Sequence, residues 1–303
     1  MENSSTAIAK ININKRNTTI KRRLINAGFY AFFGLLAAIF MFPYFLMLMK
    51  SLMTSEEVVN PQLQLFPAVP QFRNYILLFA ESTYGGGGYA SGLFYTLVVV
   101  GSNMLIVPIS ASIIAFSFAK LQWKGRNFMF ALMLSTIMLP AVVTQLPLYV
   151  MYTGFGWINT LYPLIIPNLF GGGAINIFLL RQFMLGIPKD MDEAAKIDGA
   201  GAFRRYAFIT IPLCVPILLY VMVTVLMANW GDFYGPLIYL PSMRAPRTLA
   251  YAIFYDSMNA NASTAKANLR MAGGVFMTVI PVVVFALFQK ALIEGVAVTG
   301  LKG

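Results

Sequence analysis

Histidine is absent from this 303-residue chain, and cysteine occurs once, as Cys214. The first absence removes the commonest proton shuttle and metal ligand. The second forbids an intrachain disulfide, and Cys214, inside an apolar run, reads as a small core-filling hydrophobe. Charge is scarce too: 11% of the residues are charged, against about 25% in soluble domains. Hydrophobic residues make up 58%. One soluble core cannot absorb that much apolar surface, so lipid must cover the remainder. The formal net charge of +11 does not point to nucleic acid, because the basic residues gather at the ends of apolar runs, as membrane-flanking residues do.

A helix needs about 20 apolar residues to cross the hydrocarbon. Six runs qualify: Gly28–Met49, Ser91–Ala119, Phe128–Tyr152, Thr160–Phe183, Ile209–Trp230 and Val275–Ala291. The expected fold is therefore all-α, a polytopic membrane protein with six transmembrane helices. The first run is too long, and its preceding 27 residues too polar, for a cleaved signal peptide. With the N-terminus in the cytoplasm, most lysines and arginines fall inside. They are Lys10, Lys15, Arg16, Lys21, Arg22 and Arg23 in the tail; Lys120, Lys124 and Arg126 in one loop; Arg181, Lys189, Lys196, Arg204 and Arg205 in the next; and Lys290 and Lys302 at the end. The positive-inside rule then puts both termini in the cytoplasm. The external segments are 50–90, with a short helix expected at Phe72–Ala80, and 231–274, with another at Tyr251–Met258. The run Gly85–Gly88 lacks the strand, the lysine–serine pair and the helix of a phosphate loop, and is expected to be a flexible turn. Met129, Met133 and Met138 are expected to be lipid-facing or core filler.

The cytoplasmic segment between spans four and five has its own pattern. Asp190 suits a helix N-cap, and Glu193 three residues on completes a capping box. Asp192 and Lys196 stand four apart in the favourable acid-first order. Ala194 and Ala195 form helix with almost no bulk, and Gly199 offers a left-handed stop. A second helical run starts near Ala202 and feeds span five, with Pro212 where it enters the lipid. Such thin sides let another protein approach the backbone closely. A short capped connector, with Glu193 only its cap partner, is an equal reading of the same residues.

The spacing of Glu193-Ala194-Ala195, Gly199, Ile209 and Pro212 resembles the signature of ABC importer permeases, with Ile211 where a leucine is usual. Phe178-Leu179-Leu180-Arg181-Gln182-Phe183 followed by Ile187-Pro188 resembles the run before that signature in carbohydrate-importing members. Asn229-Trp230-Gly231-Asp232-Phe233 with Pro236–Leu240 is similar to their segment after span five, although the tryptophan there usually precedes the asparagine. Phe288-Gln289, Gly295 and the terminal Lys302-Gly303 resemble the ending of maltose and multiple-sugar permease subunits.

The resemblance implies a type I importer permease fold in a bacterial or archaeal cell membrane. It implies a basic tail at 1–27, a permease domain at 28–293 containing a coupling element at 190–212, and a C-terminal tail at 294–303. It also implies partners: a second homologous permease, two cytoplasmic ATPase subunits that bind ATP and magnesium, a solute-binding protein outside, membrane lipid, and a carbohydrate substrate. The chain itself would be no enzyme and hold no cofactor. Two features agree. No G-x-x-x-x-G-K-[ST] run is present, and the spans carry almost no ionisable residues away from their ends, where a proton- or sodium-coupled carrier usually needs them.

Coupling to the ATPase would fall on Glu193, Ala194, Ala195, Asp198, Gly199, Arg204, Arg205, Ile209 and Pro212. The substrate path would draw on Gln145, Asn168, Asn176, Asn229, Trp230 and Tyr234, since amides suit hydroxyls and aromatic faces suit the C–H faces of sugars. Pro163, Pro167, Asn168 and Gly171–Gly173 predict a break in span four, of the kind that faces protein or a water-filled cavity. The same residues admit plainer roles: Trp230 and Tyr234 as interfacial aromatics, the amides as links between helices. An importer subunit for a polyamine or amino acid, or a stand-alone carrier or channel, are the alternative functions.

Overall fold

The computed structural model describes the backbone of residues 2–62, 64–80, 88–242, 244–258 and 266–300, with side-chain surroundings for 23, 25–62, 64–80, 88–242, 244–258 and 266–289. Among the described residues there is helix and no strand. Gly85–Gly87, Lys302 and Gly303, which figured in the sequence reading, lie outside them.

Among the described residues four helices are long and apolar enough to cross a membrane alone: Ile25–Ser51, Tyr89–Lys120, Tyr162–Leu185 and Ala267–Gln289. Two bent pairs, Arg126–Met138 with Ala141–Gly154 and Ala202–Leu213 with Val215–Trp230, bring the number to six when each pair is counted as one span. The six runs of the sequence are therefore all present, but runs three and five are not straight. Helix α1 (Glu2–Ser51) carries the first span and continues through the basic tail. The short helices α2 (Ser55–Val59) and α3 (Arg73–Ala80) follow, and then α4 (Tyr89–Lys120).

Span three is α5 (Arg126–Ser135), a 3-10 turn at Thr136–Met138 and α6 (Ala141–Gly154), turning by 101°. Proline explains the break. Leu139, before Pro140, is driven out of the helical region to ψ 121°, and Pro140 itself has ψ 131° and no N–H to offer. Span four runs from α7 (Tyr162–Ile165) through a 3-10 turn at Ile166–Phe170 to α8 (Ala174–Leu185). Gly171, Gly172 and Gly173 between them all have positive φ, so the predicted break is there.

Helices α9 (Lys189–Ile197) and α10 (Ala202–Arg205), a π turn at Tyr206–Thr210 and α11 (Ile211–Leu213) lead into α12 (Val215–Trp230). The 77° bend of span five sits at Cys214, between Pro212 and Pro216, which remove two helical donors four residues apart. The chain closes with α13 (Tyr234–Tyr239), α14 (Leu249–Met258) and α15 (Ala267–Gly300). The helices expected at Phe72–Ala80 and Tyr251–Met258 are α3 and α14, each shifted at its start.

Helix α4 is the axis. Its small residues Ala111 and Ala115, with Val107 and Phe116, meet Leu180 and Met184 of α8 and Ile217 and Val221 of α12 in one core that also encloses Cys214. Small residues one turn apart let helix backbones come close, the main source of packing where lipid supplies no hydrophobic drive. Helix α1 packs on α15, while Phe29, Tyr30, Phe32 and Phe33 stay exposed, as a lipid-facing helix requires.

At the Tyr89 end of α4 lies a polar cap. Asn74 donates to the carbonyls of Ser51 and Met53, and Asn268 donates to Asn74 Oδ1, so α1, α3 and α15 are tied at one point. Helix α14 is joined to α4 by the Leu249 N–H donating to Thr96 Oγ1 at 2.8 Å. A Cβ on Gly92 would come within 3.2 Å of Leu249 Cα, so glycine eases that close approach. Tyr89 donates to Asp256 Oδ2 at 2.8 Å, while burial pushes the Asp256 carboxyl above its ordinary pKa.

Candidate functional site

The coupling segment forms an elbow at the other end of α4. Its entrance is held there by Lys120, whose Nζ donates to the Ile187 carbonyl at 3.3 Å. Helix α9 starts one residue before Asp190, after extended Pro188, and no side chain caps it. The proline sets the entrance geometry, so the capping box at Asp190 and Glu193 does not form. Asp190 and Asp192 instead sit in the first turn, where the helix dipole favours anions. At the far end the Ala200 N–H donates to the Ala195 carbonyl at 2.9 Å and the Gly199 N–H to that of Lys196 at 3.0 Å. This is a Schellman stop, and it places Gly199 at φ +76°.

The elbow is braced from within. Arg205 Nη1 lies 2.8 Å from both carboxylate oxygens of Asp192. Both residues are buried, while Lys196 approaches the same carboxylate at 3.3 Å from solvent. The predicted Asp192–Lys196 pair is thus present, but the ion pair that fixes α9 against α10 is the one with Arg205. That brace has no local signature in the sequence, because its partners stand thirteen positions apart across a left-handed turn. Beyond α10, Tyr206 shares a 2.8 Å hydrogen bond with the Ser112 hydroxyl and packs edge-on against Phe116, which fastens the π turn to α4.

The coupling residues divide by face. Glu193, Ala194, Asp198, Gly199, Arg204 and Pro212 are exposed, Ile209 is half-buried, and Ala195 and Arg205 point inward. Two large apolar side chains join the outer face, Ile197 at 87% exposed and Phe203 at 79%.

The path residues divide as well. Asn168, Asn176 and Asn229 line one cavity of about 640 Å³, where the breaks in spans three and four meet α12. Thr136, from the 3-10 turn of span three, and Thr224, from α12, line it too. Neither was picked out from the sequence, since a threonine in an apolar run gives no signal until a break turns it inward. Asn229 also ties helices: its Oδ1 accepts from Asn103 at 2.8 Å, and Asn103 donates as well to the Leu164 carbonyl at 3.0 Å. The buried Oδ1 of Asn103 has no hydrogen-bond partner among the described residues. Gln145, Trp230 and Tyr234 are not on the cavity. Tyr234 donates to Gln145 across the surface at 3.0 Å. Trp230 is 4% exposed, and its indole N–H donates to the Met277 carbonyl at 2.8 Å, joining α12 to α15.

A family model, binding-protein-dependent transport system inner membrane component, matches residues 109–298, the stretch that holds the elbow and all of the cavity lining but Val107. The chain belongs to this family. Among its relatives is the arabinooligosaccharides transport system permease protein AraQ of Bacillus subtilis (strain 168), 31% identical over 90% of this chain and 94% of that one. The galactooligosaccharides transport system permease protein GanQ of the same organism is 30% identical over 93% of this chain and 98% of its own. A crystal structure of a bacterial ABC transporter involved in import of the acidic polysaccharide alginate shares the fold, with TM-score 0.68 and 20% identity over 88% of this chain and 96% of that one. This permease is thus an all-α, multi-pass component of the cell membrane with the ABC importer permease fold.

Proposed function

We propose that this chain forms one half of the membrane route of an ATP-driven, binding-protein-dependent importer of a sugar or oligosaccharide, and that the α9–α10 elbow receives the drive. The relatives named for arabinooligosaccharides and galactooligosaccharides support the cargo class. The second permease, the two ATPase subunits with their ATP and magnesium, and the solute-binding protein are the partners this reading requires. Both termini and the elbow lie on the cytoplasmic side in it.

The observation that carries the reading is the two-sidedness of the elbow. Its outer face offers small and apolar surface, Ala194, Ile197 and Phe203, beside the acids Glu193 and Asp198. Its inner face is locked by the Asp192–Arg205 pair. A partner cleft gripping α9 would therefore move α10 with it, because the pair and the Schellman stop leave no slack between them. The motion passes through the Tyr206–Thr210 turn to the bend at Cys214 and so to α12, which lines the cavity. A hinge of this kind converts a local displacement into a switch between inward- and outward-facing states.

Gly199→Asp in the complete assembly tests it. A side chain strains the left-handed turn, and the new carboxylate adds charge to the exposed face beside Asp198, while the spans still insert. Assembly should survive, and stimulation of ATP hydrolysis by loaded binding protein should be lost. Full stimulation in that variant would refute the elbow as the coupling element.

A further inference from the structure

We propose that the elbow end of α4 carries a binding site for an acidic phospholipid, whose phosphate is held by Arg126 and Arg181 and whose acyl chains lie along α5. The site is separate from the cavity and from the outer face of the elbow, and it holds whatever the route carries.

Helix α4 ends here among donors from three sides. Arg181 of α8 donates through Nε to the Phe118 carbonyl at 3.3 Å, Arg126 of α5 through Nη1 to that of Leu121 at 2.9 Å, and Trp123 through Nε1 to that of Ser117 at 3.3 Å. Capping the last carbonyls of a helix is one use for such side chains. It does not balance their charge. A helix C-terminus presents roughly half a negative charge, and two guanidiniums face it. Among the described residues neither of them meets a carboxylate; the ion pairs there are those of Asp192 with Lys196 and Arg205. Each guanidinium gives one nitrogen to a carbonyl, so the rest of its fork is left for an anion such as phosphate.

The surroundings choose the anion. The guanidinium carbon of Arg181 lies 3.9 Å from the centroid of the Phe130 ring, which packs against Phe118 and Phe178. Arg126 stands one turn before Phe130 on α5 and is near enough to repel Arg181. The pair therefore rests on an aromatic floor at the ends of spans three and four, with Met129 and Leu132 exposed just beyond it and Trp123 exposed beside it. That is the level at which a bilayer passes from headgroup to hydrocarbon, where tryptophan gathers. Basic pockets between spans on the cytoplasmic side suit the headgroups of acidic lipids. A free phosphate or an acidic protein side chain would match the arginines and leave Met129 and Leu132 uncovered, whereas one lipid supplies both charge and chain. It would join α4, α5 and α8 close to where Lys120 holds the entrance of the elbow.

Photocrosslinking reads the site. Cys214 is buried, so a thiol-reactive crosslinker goes to an introduced cysteine. Met129→Cys lies at the site; Phe29→Cys, exposed on α1 beside the basic tail at the same end, samples the ordinary lipid there. Each is placed in the complete assembly, in nanodiscs of phosphatidylcholine with a minor share of phosphatidylglycerol, and the lipid captured on this chain is identified by mass spectrometry. Phosphatidylglycerol should be enriched at Met129→Cys over Phe29→Cys by about fivefold or more. Adding Arg126→Gln and Arg181→Gln should remove the enrichment. Arg126→Gln alone keeps the Arg181 bond to α4, should reduce the enrichment, and serves if the double change disturbs assembly. Equal enrichment at the two cysteines would mean a diffuse pull toward the basic side, and enrichment that survives the loss of both arginines would mean a different contact; either result overturns the site. Capture of protein in place of lipid at Met129→Cys would show that a partner subunit covers this face, and would overturn it as well. None of these outcomes bears on the elbow's coupling role or on the cargo.

Discussion

Asp192 is held by two cations of unequal exposure, and the buried one decides its energetics. Removing one partner of a buried ion pair leaves the other charge uncompensated, which costs about 3 to 5 kcal/mol. Arg205→Gln should fall near the lower end, about 3 kcal/mol, because Lys196 still reaches the carboxylate. Asp192→Asn with Arg205→Gln should cost less than the sum of the two single changes, since together they leave no stranded charge. Unfolding of the purified variants in detergent, run as a double-mutant cycle, measures the difference. Additivity within a few tenths of a kcal/mol would mean that the two side chains do not interact.

Glu57 gives a residue-scale dependence on pH. Its carboxylate accepts the backbone N–H groups of Thr54 and Ala68, and these bonds hold its pKa below the ordinary value of 4.5. A depressed carboxylate stabilises the fold above the unfolded pKa and loses that contribution as pH falls through the depressed value. Acidification below 4.5 should therefore release the Thr54 and Ala68 amides, seen as faster hydrogen exchange relative to neighbouring amides. Glu57→Gln should abolish that pH dependence.

At the scale of elements, the three glycines of span four are not equivalent. Gly172 has φ +60°, and a Cβ there would lie 2.6 Å from Val107 Cγ1 on α4; Gly173 has φ +111°, with open space around its Cβ position. Gly173→Ala should cost the backbone strain alone, about 1 to 3 kcal/mol, because φ +111° with ψ 154° is a region essentially only glycine occupies. Gly172→Ala adds overpacking of about 1 to 3 kcal/mol. Val107→Ala should relieve part of the second change and none of the first. Thermal unfolding of the three single and two double variants checks this, and an equal effect of Val107→Ala on both glycine changes would refute the close packing of the break on α4.

That break was legible in the sequence because three consecutive glycines have few other uses at membrane depth. The bends at Pro140 and Cys214 were not. A hydropathy run records composition, not direction, and one proline is compatible with a mild kink or with a 101° turn. Which of these occurs depends on what α5 and α6 pack against. The elbow shows the same division. Local chemistry announced Gly199 and the Asp192–Lys196 pair, but Arg205 could be assigned only after the turn brought it back over α9. Trp230, chosen as a path residue for its chemistry, is held instead by a carbonyl on α15, a long-range contact that no local pattern encodes.

At the scale of the whole molecule, the asymmetry of charge and the asymmetry of shape coincide. The basic loops lie at the elbow end, and the polar cap of Asn74, Asn268 and Asp256 lies at the other. Ile197→Cys should therefore be modified by a membrane-impermeant thiol reagent in inside-out vesicles and not in intact cells or right-side-out vesicles. Labelling from the outside would invert the topology and remove the ATPase from reach.

Helix α4 is a long unbroken span that reaches from the polar cap to the elbow. It is bolted to α14 where Gly92 admits Leu249, and moored at Lys120 beside the start of the elbow. The fractured spans three, four and five are arranged about it. Under the proposed function, any swivel of those pieces would take place around this axle, and a pull on the knuckle and a load on the cap at the opposite end would be registered by the same shaft.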